Sequence, residues 1–381
     1  MIDLADADVL RDPFTAWGRV RERTPLTRLE IPGLGRLWVL TRYEQARAML
    51  GDPRLEINAG SFLPPDVPEH CRPYLRTMTE RPAPEHARLR AAVAPAFSAR
   101  SARQFRPRIE AIVERLLDDL PGGAETDLLA HFARPLPIEV ICELVGIPEV
   151  DRPRWREYGK AIAAGSGQGF AAAIPGIIGG ATAAVARRRA EPGADLLSEL
   201  TDTELTDTEL ITLVWHLVLA GQTPANLIGN ALAALLTHPG ELAVLWGDPG
   251  LMPGAVEELI RWCGPMLLSI PRYAREDVEL CGTLVREGEP VSASIAAANR
   301  DPRVFPDPER LDVTRAPLPH LGFAYGPHFC LGAALARVQT EVALSCLLRR
   351  FPNLALAAAV AEIRAPDPGT WRLTTLPVLG L

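Results

Sequence analysis

Apolar positions recur every three to four residues through much of the chain, and this spacing predicts a mainly helical protein. Short helices are expected over Asp12–Arg23 and Glu44–Leu50. From His86 onward the pattern is helical, and Phe105, Ile109, Ile112, Leu116 and Leu120 form one apolar face. Ile138–Val145, Pro253–Trp262 and Ala333–Arg350 extend the series, the last with Leu335, Val338, Val342 and Cys346 on one side. The segment Thr201–Leu210 reads TDTELTDTEL, a duplication too short to signal a repeat architecture. Its second copy offers a capping box, Thr206 as N-cap with Glu209 three residues later. That box predicts a long apolar helix from about Asp207 to Thr237, closed by Pro239-Gly240.

Strands are few. Leu37–Thr41, Val278–Leu280, Thr283–Val285 and Val291–Ser294 carry the β-type runs, and Thr370–Leu381 reads as extended. Gly51–Pro84 lacks periodicity and reads as a long loop, a length at which loops are often functional. Pro302–Pro319 is proline-punctuated coil. Ala161–Ala184 is so rich in Ala and Gly that a mobile, loosely packed region is expected. No linker interrupts the pattern, so residues 1–381 read as a single domain, mainly α with a small β region.

Composition narrows the function classes. The 381 residues are 48% hydrophobic and 23% charged, enough to bury a large core. With 40 Lys and Arg against 47 Asp and Glu, the net charge of −7 gives no basic excess to recommend nucleic acid or an anionic membrane surface as partner. The first ten residues carry Asp3, Asp6 and Asp8 and no apolar run, unlike a signal peptide or anchor. The longest largely apolar stretch, Ile211–Ala220, is too short to span a bilayer, so a cytoplasmic location is expected. Six scattered cysteines form no C-x-x-C pair, and free thiols are the default.

The most informative segment is 323–332, FAYGPHFCLG, a Gly/Pro-rich loop running into a helix. Cys330 falls at the expected helix N-terminus, where unpaired N–H groups and the helix dipole favour a thiolate. Gly326 and Gly332 permit close backbone approach. Taken alone, Cys330 is as well explained as an inert buried thiol. The flanking pattern Phe323, Gly326, His328, Cys330 and Gly332 resembles the heme-binding loop of cytochrome P450 enzymes. Ala324 departs from it, standing where that family usually has Gly. The resemblance implies the P450 fold and heme b (iron protoporphyrin IX) with Cys330 as the iron ligand. It also implies that Phe323 packs near the sulfur and that His328 contacts a heme propionate.

Other segments run in the same order along the chain. Glu258 and Arg261 make an i,i+3 pair, by itself an ordinary surface ion pair. It resembles the family's Glu-x-x-Arg pair, with Arg310 as the expected third partner. His86 and Arg90 lie four apart on one helix face, and their segment resembles the family's propionate-binding helix. Arg272 resembles a further propionate ligand.

Leu217–Asn230, LVLAGQTPANLIGN, is similar to the helix that crosses the heme in that family and carries an acid followed by Thr. Alignment on Ala225-Asn226 puts Gln222 at the acid position and Thr223 at the alcohol position. Alignment on Ala220-Gly221 shifts the frame by one. An amide does not ionise, so Gln222 departs from the family pattern. Pro224 lacks an N–H, which leaves the Ala220 carbonyl without its helical partner and predicts a kink. The freed carbonyl beside the Thr223 hydroxyl is expected to hold a water on a proton path.

By resemblance the substrate pocket draws on Ile57–Tyr74, Tyr158–Ile177, Trp215–Leu219, Met266–Ile270 and the Trp371 turn, which suits an apolar, partly aromatic small molecule. Trp215 fits pocket and core equally, and His216 is expected to be a satisfied polar core residue. The leading expectation is a monooxygenase of natural-product tailoring, with electrons from a separate ferredoxin and ferredoxin reductase. Oxidative aromatic coupling or peroxide-driven chemistry is the second reading, and a heme sensor or carrier the third. A cysteine hydrolase lacks an evident oriented base.

Overall fold

Local sequence signals set most helix starts. In the computed structural model, which describes residues 6–31, 35–62, 66–163 and 167–381, Asp6 caps α1 (Ala7–Arg11) and Asp12 caps α2 (Pro13–Arg23). The expected strand near residue 37 is β2 (Gly35–Leu40), paired antiparallel with β1 (Leu26–Ile31), a strand the patterning did not predict. Then follow α3 (Tyr43–Gly51), β3 (Leu55–Glu56), α4 (Ala83–Val93), α5 (Ala99–Asp118), β4 (Thr126–Asp127) and α6 (Pro135–Val145). The apolar stripe of α5 is buried at Phe105, Ile109, Ile112 and Leu116. The expected loop over 51–84 is tightened by short 3-10 turns at Ala59–Ser61, Glu69–Tyr74 and Met78–Glu80.

The Gly/Ala-rich segment is not a loose region. Residues 164–166 lie outside the described part, but α8 (Gly167–Ala190) is a long helix packed on α7 (Arg152–Ala163). Two of its glycines, Gly176 and Gly180, seat aromatic rings of α7. A β-carbon at Gly176 would meet the Tyr158 hydroxyl at 2.6 Å, and one at Gly180 would touch Trp155 at 3.5 Å. Small residues at these two positions give close packing.

After α9 (Leu196–Thr201), Thr206 and Glu209 form the expected capping box. The helix they start is not continuous. α10 (Asp207–Ala220) and α11 (Pro224–Thr237) are separated by the turn Gly221-Gln222-Thr223. The run ends at Thr237 as expected, and Pro239 is the first residue of α12 (Pro239–Gly247), where proline needs no N–H. By length and composition, 169–190 and 207–237 would each suffice to cross a membrane, longer than the stretch singled out from sequence. The second is mostly core, with 56% of its apolar window buried.

Next come α13 (Met252–Cys263), β5 (Arg272–Ala274), β6 (Val278–Leu280), β7 (Thr283–Val285), β8 (Pro290–Ala293) and α14 (Ile295–Ala298). The chain ends with α15 (Ala333–Arg350), β9 (Ala355–Leu356) and β10 (Pro377–Leu379). The larger sheet has the order β1-β2-β8-β5-β3, parallel only between β2 and β8. The main core lies where α15 packs along α5 and α11 packs on α13 and α15. A second cluster joins the sheet to α3 and Phe305. This arrangement brings α4, α10, β5 and the segment before α15 around one interior region.

Candidate active site

The cysteine loop is held from three sides. Cys330 N–H donates to Phe323 O at 2.9 Å, and Phe329 N–H donates to Gly326 O at 3.0 Å. Gly326 has φ +76°, and a β-carbon there would stand 2.7 Å from Leu50 O at the end of α3, so only glycine lets the loop approach. Ala324 adopts φ +59°, a left-handed conformation that costs a non-glycine residue about 1–2 kcal/mol. The Phe323 ring lies under the Arg337 guanidinium at 4.6 Å and beside Phe329 at 6.3 Å.

Cys71, Cys142, Cys263 and Cys346 are buried, whereas Cys281 and Cys330 are exposed. Cys281 lies in the tight turn between β6 and β7. Cys330 is different: protein surrounds it on most sides, yet it keeps accessible surface. Burial raises its thiol pKa, and the Gly332 N–H and the charges of Arg90 and Arg337 offset only part of that rise. The expected thiolate is therefore not produced by the protein's own groups. The helix begins three residues later, at Ala333.

Four sequence-predicted basic groups converge beside this loop. The His86 and His328 rings lie 4.4 Å apart. His328 has its pKa lowered to about 4 by burial and by the charges of His86, Arg272 and Arg90. Burial, then Arg90, also lowers His86. Arg90 Nη2 donates to Phe329 O at 2.6 Å, tying α4 to the cysteine loop. Arg272 is 3% exposed, and its Nε is sealed without a partner. Burial lowers its pKa to about 10. No carboxylate pairs with any of the four among the described residues. A buried cation without an anion is costly, so this cradle is complementary to a dianionic or paired-carboxylate ligand.

Glu258 and Arg261 form a buried bidentate pair, not a surface one: Arg261 Nε donates to Glu258 Oε2 at 2.6 Å and Nη2 to Oε1 at 2.7 Å. The third partner is Arg315, whose Nε donates to Glu258 Oε1 at 3.1 Å. Arg310, expected in that role, supplies only its carbonyl to Arg261 at 3.3 Å, and its side chain is 66% exposed. The Arg261 Nη1 bonds to Asn299 O and Pro308 O lock the coil that leads to the cysteine loop.

At the helix break, the Ala220 carbonyl is not free. It accepts from Thr223 N at 3.2 Å and from Thr223 Oγ1 at 2.9 Å, so the tight turn satisfies what Pro224 leaves open. Thr223 and Ala220 are exposed although α10 is buried on its other faces. Gln222 turns away. Its amide lies against Gly159 of α7, where a β-carbon would collide with Oε1, and its Nε2 is buried without a partner. The amide at the expected acid position is thus aimed at a neighbouring helix. Trp215 is core, its Nε1 donating to Tyr74 O at 3.0 Å. Leu267 and Leu268 are buried beside Trp371, while Met266 and Ile270 stay exposed.

Comparison with known proteins decides the family. The chain is 38% identical to cytochrome P450 107B1 of Saccharopolyspora erythraea, over 96% of this chain and 93% of that protein. The chain belongs to the cytochrome P450 family. The family model described as Cytochrome P450 matches residues 250–357. The P450 monooxygenase PikC of Streptomyces venezuelae is 37% identical over 97% of this chain and 92% of its own length. The solved structure of the Bacillus subtilis 168 bacillaene polyketide synthase P450 PksS superposes with a TM-score of 0.91 at 33% identity, covering 100% of both chains. The chain is thus a P450 monooxygenase with the P450 fold, and members of this family bind heme b through a cysteine thiolate.

The residues present fit that cofactor. The cradle of His86, Arg90, Arg272 and His328 lacks the anions that two propionates would supply, and the accessible Cys330 stands in the loop beside it. Sequence reasoning missed Arg315, which had no spacing signal to distinguish it from Arg310. It also misjudged His216, whose ring makes no hydrogen bond among the described residues and whose Nδ1 is sealed without a partner.

Proposed function

We propose that this P450 inserts one oxygen atom from O2 into an apolar, partly aromatic small molecule in bacterial secondary metabolism. Electrons come from a separate ferredoxin with its reductase, and the whole chain, 1–381, acts as one cytoplasmic domain. The observation that carries the reading is the basic cradle without an anion, set against the loop that carries the accessible Cys330.

Cys330 would hold the iron in this reading, beside whose charge the thiolate would be favoured although the protein groups alone do not favour it. His86, Arg90, Arg272 and His328 would hold the propionates. Heme with a thiolate ligand supplies O2 binding and activation. The role of this chain's residues is to position and to hold protons. Thr223 Oγ1 spends its single proton on Ala220 O, so toward the cavity it offers acceptor lone pairs only. It can therefore hold a proton-bearing water there. Gln222 takes no part in proton transfer, because its amide neither ionises nor faces the cavity.

That same feature supports a second reading, oxidative aromatic coupling or peroxide-driven chemistry, which demands less proton delivery. Mass analysis of the product for added oxygen separates the two. The primary test is the carbon-monoxide difference spectrum of the reduced protein beside that of Cys330→Ser. A strongly red-shifted Soret band, lost in the variant, is expected; a band unaffected by the substitution refutes the assignment of Cys330.

A further inference from the structure

We propose that His216 recognises a hydroxyl or carbonyl group on the otherwise apolar substrate. The inference rests on the P450 reading above and names the polar feature that such a substrate must carry.

The helical period places His216, Leu219, Ala220 and Thr223 on one face of α10 and its following turn. Each of these keeps accessible surface, whereas Leu213, Val214, Trp215, Leu217 and Val218 are buried. The other faces are occupied. Trp215 is bonded to Tyr74 O, and a β-carbon at Gly221 would collide with Ile141 of α6. The accessible stripe is therefore the one that continues into the Ala220–Thr223 turn, and on the P450 reading it is the side that meets the substrate.

Within that stripe His216 is the only side chain besides Thr223 with a polar atom. Thr223 is already bonded to Ala220 O. The imidazole is not bonded at all among the described residues: Nδ1 is sealed without a partner, and Nε2 keeps accessible surface. Its ring neighbour is Trp215, at 5.9 Å between centroids, and no acid is within ion-pair reach. Nδ1 is out of a ligand's reach, so Nε2 is the atom a substrate would meet, and a substrate that covers it must supply a hydrogen-bond partner or leave it unpaired at a cost. Burial also pushes the His216 pKa down to about 4, so the ring is neutral at physiological pH. A neutral imidazole donates from one nitrogen and accepts at the other, which suits a hydroxyl or carbonyl rather than a carboxylate. At 1.5 Å per residue, the substrate's polar group lies roughly 6–10 Å along the helix from the Ala220–Thr223 turn.

The test uses the heme-loaded enzyme and two matched probe pairs, 4-phenylphenol with biphenyl and 2-naphthol with naphthalene. Binding is read from the ligand-induced Soret shift in the wild type, His216→Phe and His216→Asn. The wild type is expected to bind the phenol of at least one pair about tenfold tighter than its hydrocarbon, a difference of about 1.4 kcal/mol. His216→Phe is expected to lose that preference while still binding the hydrocarbon, and His216→Asn to keep part of it. Equal binding of phenol and hydrocarbon in the wild type overturns the proposal, as does a preference that survives in His216→Phe, or a failure of every probe to bind. The carbon-monoxide spectrum is recorded first for each protein. A normal thiolate signature without a His216-dependent preference overturns the His216 role alone, whereas its absence from the wild type overturns the P450 reading of Cys330 and this inference with it.

Discussion

The Gln222 amide occupies the space that a side chain at Gly159 would fill: a β-carbon there would lie 2.8 Å from Nε2 and would collide with Oε1. The break between α10 and α11 is thus keyed to the middle of α7. Because alanine is the better helix former by about 0.8–1.0 kcal/mol, Gly159→Ala should stabilise the protein by that amount in a Gln222→Ala background. In the wild-type background the gain should vanish or reverse, as the amide is displaced. A double-mutant cycle by urea unfolding measures this, and simple additivity of the two substitutions would contradict the contact.

Arg272 gives opposite signs with and without cofactor. Its guanidinium is buried with Nε unpartnered, so the apoprotein bears the cost of a lone cation. Arg272→Leu is expected to stabilise the apoprotein by about 1–4 kcal/mol in denaturant unfolding, on the scale seen when buried charges are replaced by apolar residues. The same variant should load less heme, read as the ratio of Soret to protein absorbance. Apoprotein destabilisation would show that Arg272 has a partner inside the protein.

Ala324 holds a left-handed conformation at φ +59° in the loop ahead of Cys330. Ala324→Gly should relieve that strain and raise stability by about 1 kcal/mol. Chemical denaturation checks the sign; a loss of 1 kcal/mol or more would mean that packing of the Ala324 methyl outweighs the backbone term.

Glu257 sets a pH dependence. Burial alone would raise its carboxyl, but hydrogen bonds from His320 and Arg337, with the Arg337 charge, outweigh burial and hold the pKa at about 2, against 4.5 unperturbed. A depressed carboxyl contributes stability that is complete above the unfolded pKa and is lost as pH falls toward the folded one. At most that contribution is about 3 kcal/mol. The stability gap between wild type and Glu257→Gln should stay flat from pH 7 to about 4.5 and close between 4.5 and 2. A gap that is unchanged at pH 3 would remove Glu257 from the acid response of the fold.

The features that the sequence determined by itself are those whose causes lie within a few residues. The capping box at Thr206 and Glu209, the Asp12 start of α2 and the bounds of α15 rest on hydrogen bonds and periodicity acting over one helical turn. The cysteine loop belongs with them: Gly326 and Cys330 lie four residues apart, and the bond from Cys330 N to Phe323 O closes within the motif. Only the tertiary structure decided which distant group meets which. Arg315 rather than Arg310 reaches Glu258 across 57 residues, and His86 meets His328. The Gln222 amide turns to α7, and the His216 ring is left unpaired. The physical reason is that side chains of the same type at nearby positions carry the same local propensity. The choice between them falls to the packing of segments far apart in sequence, which no short-range pattern encodes.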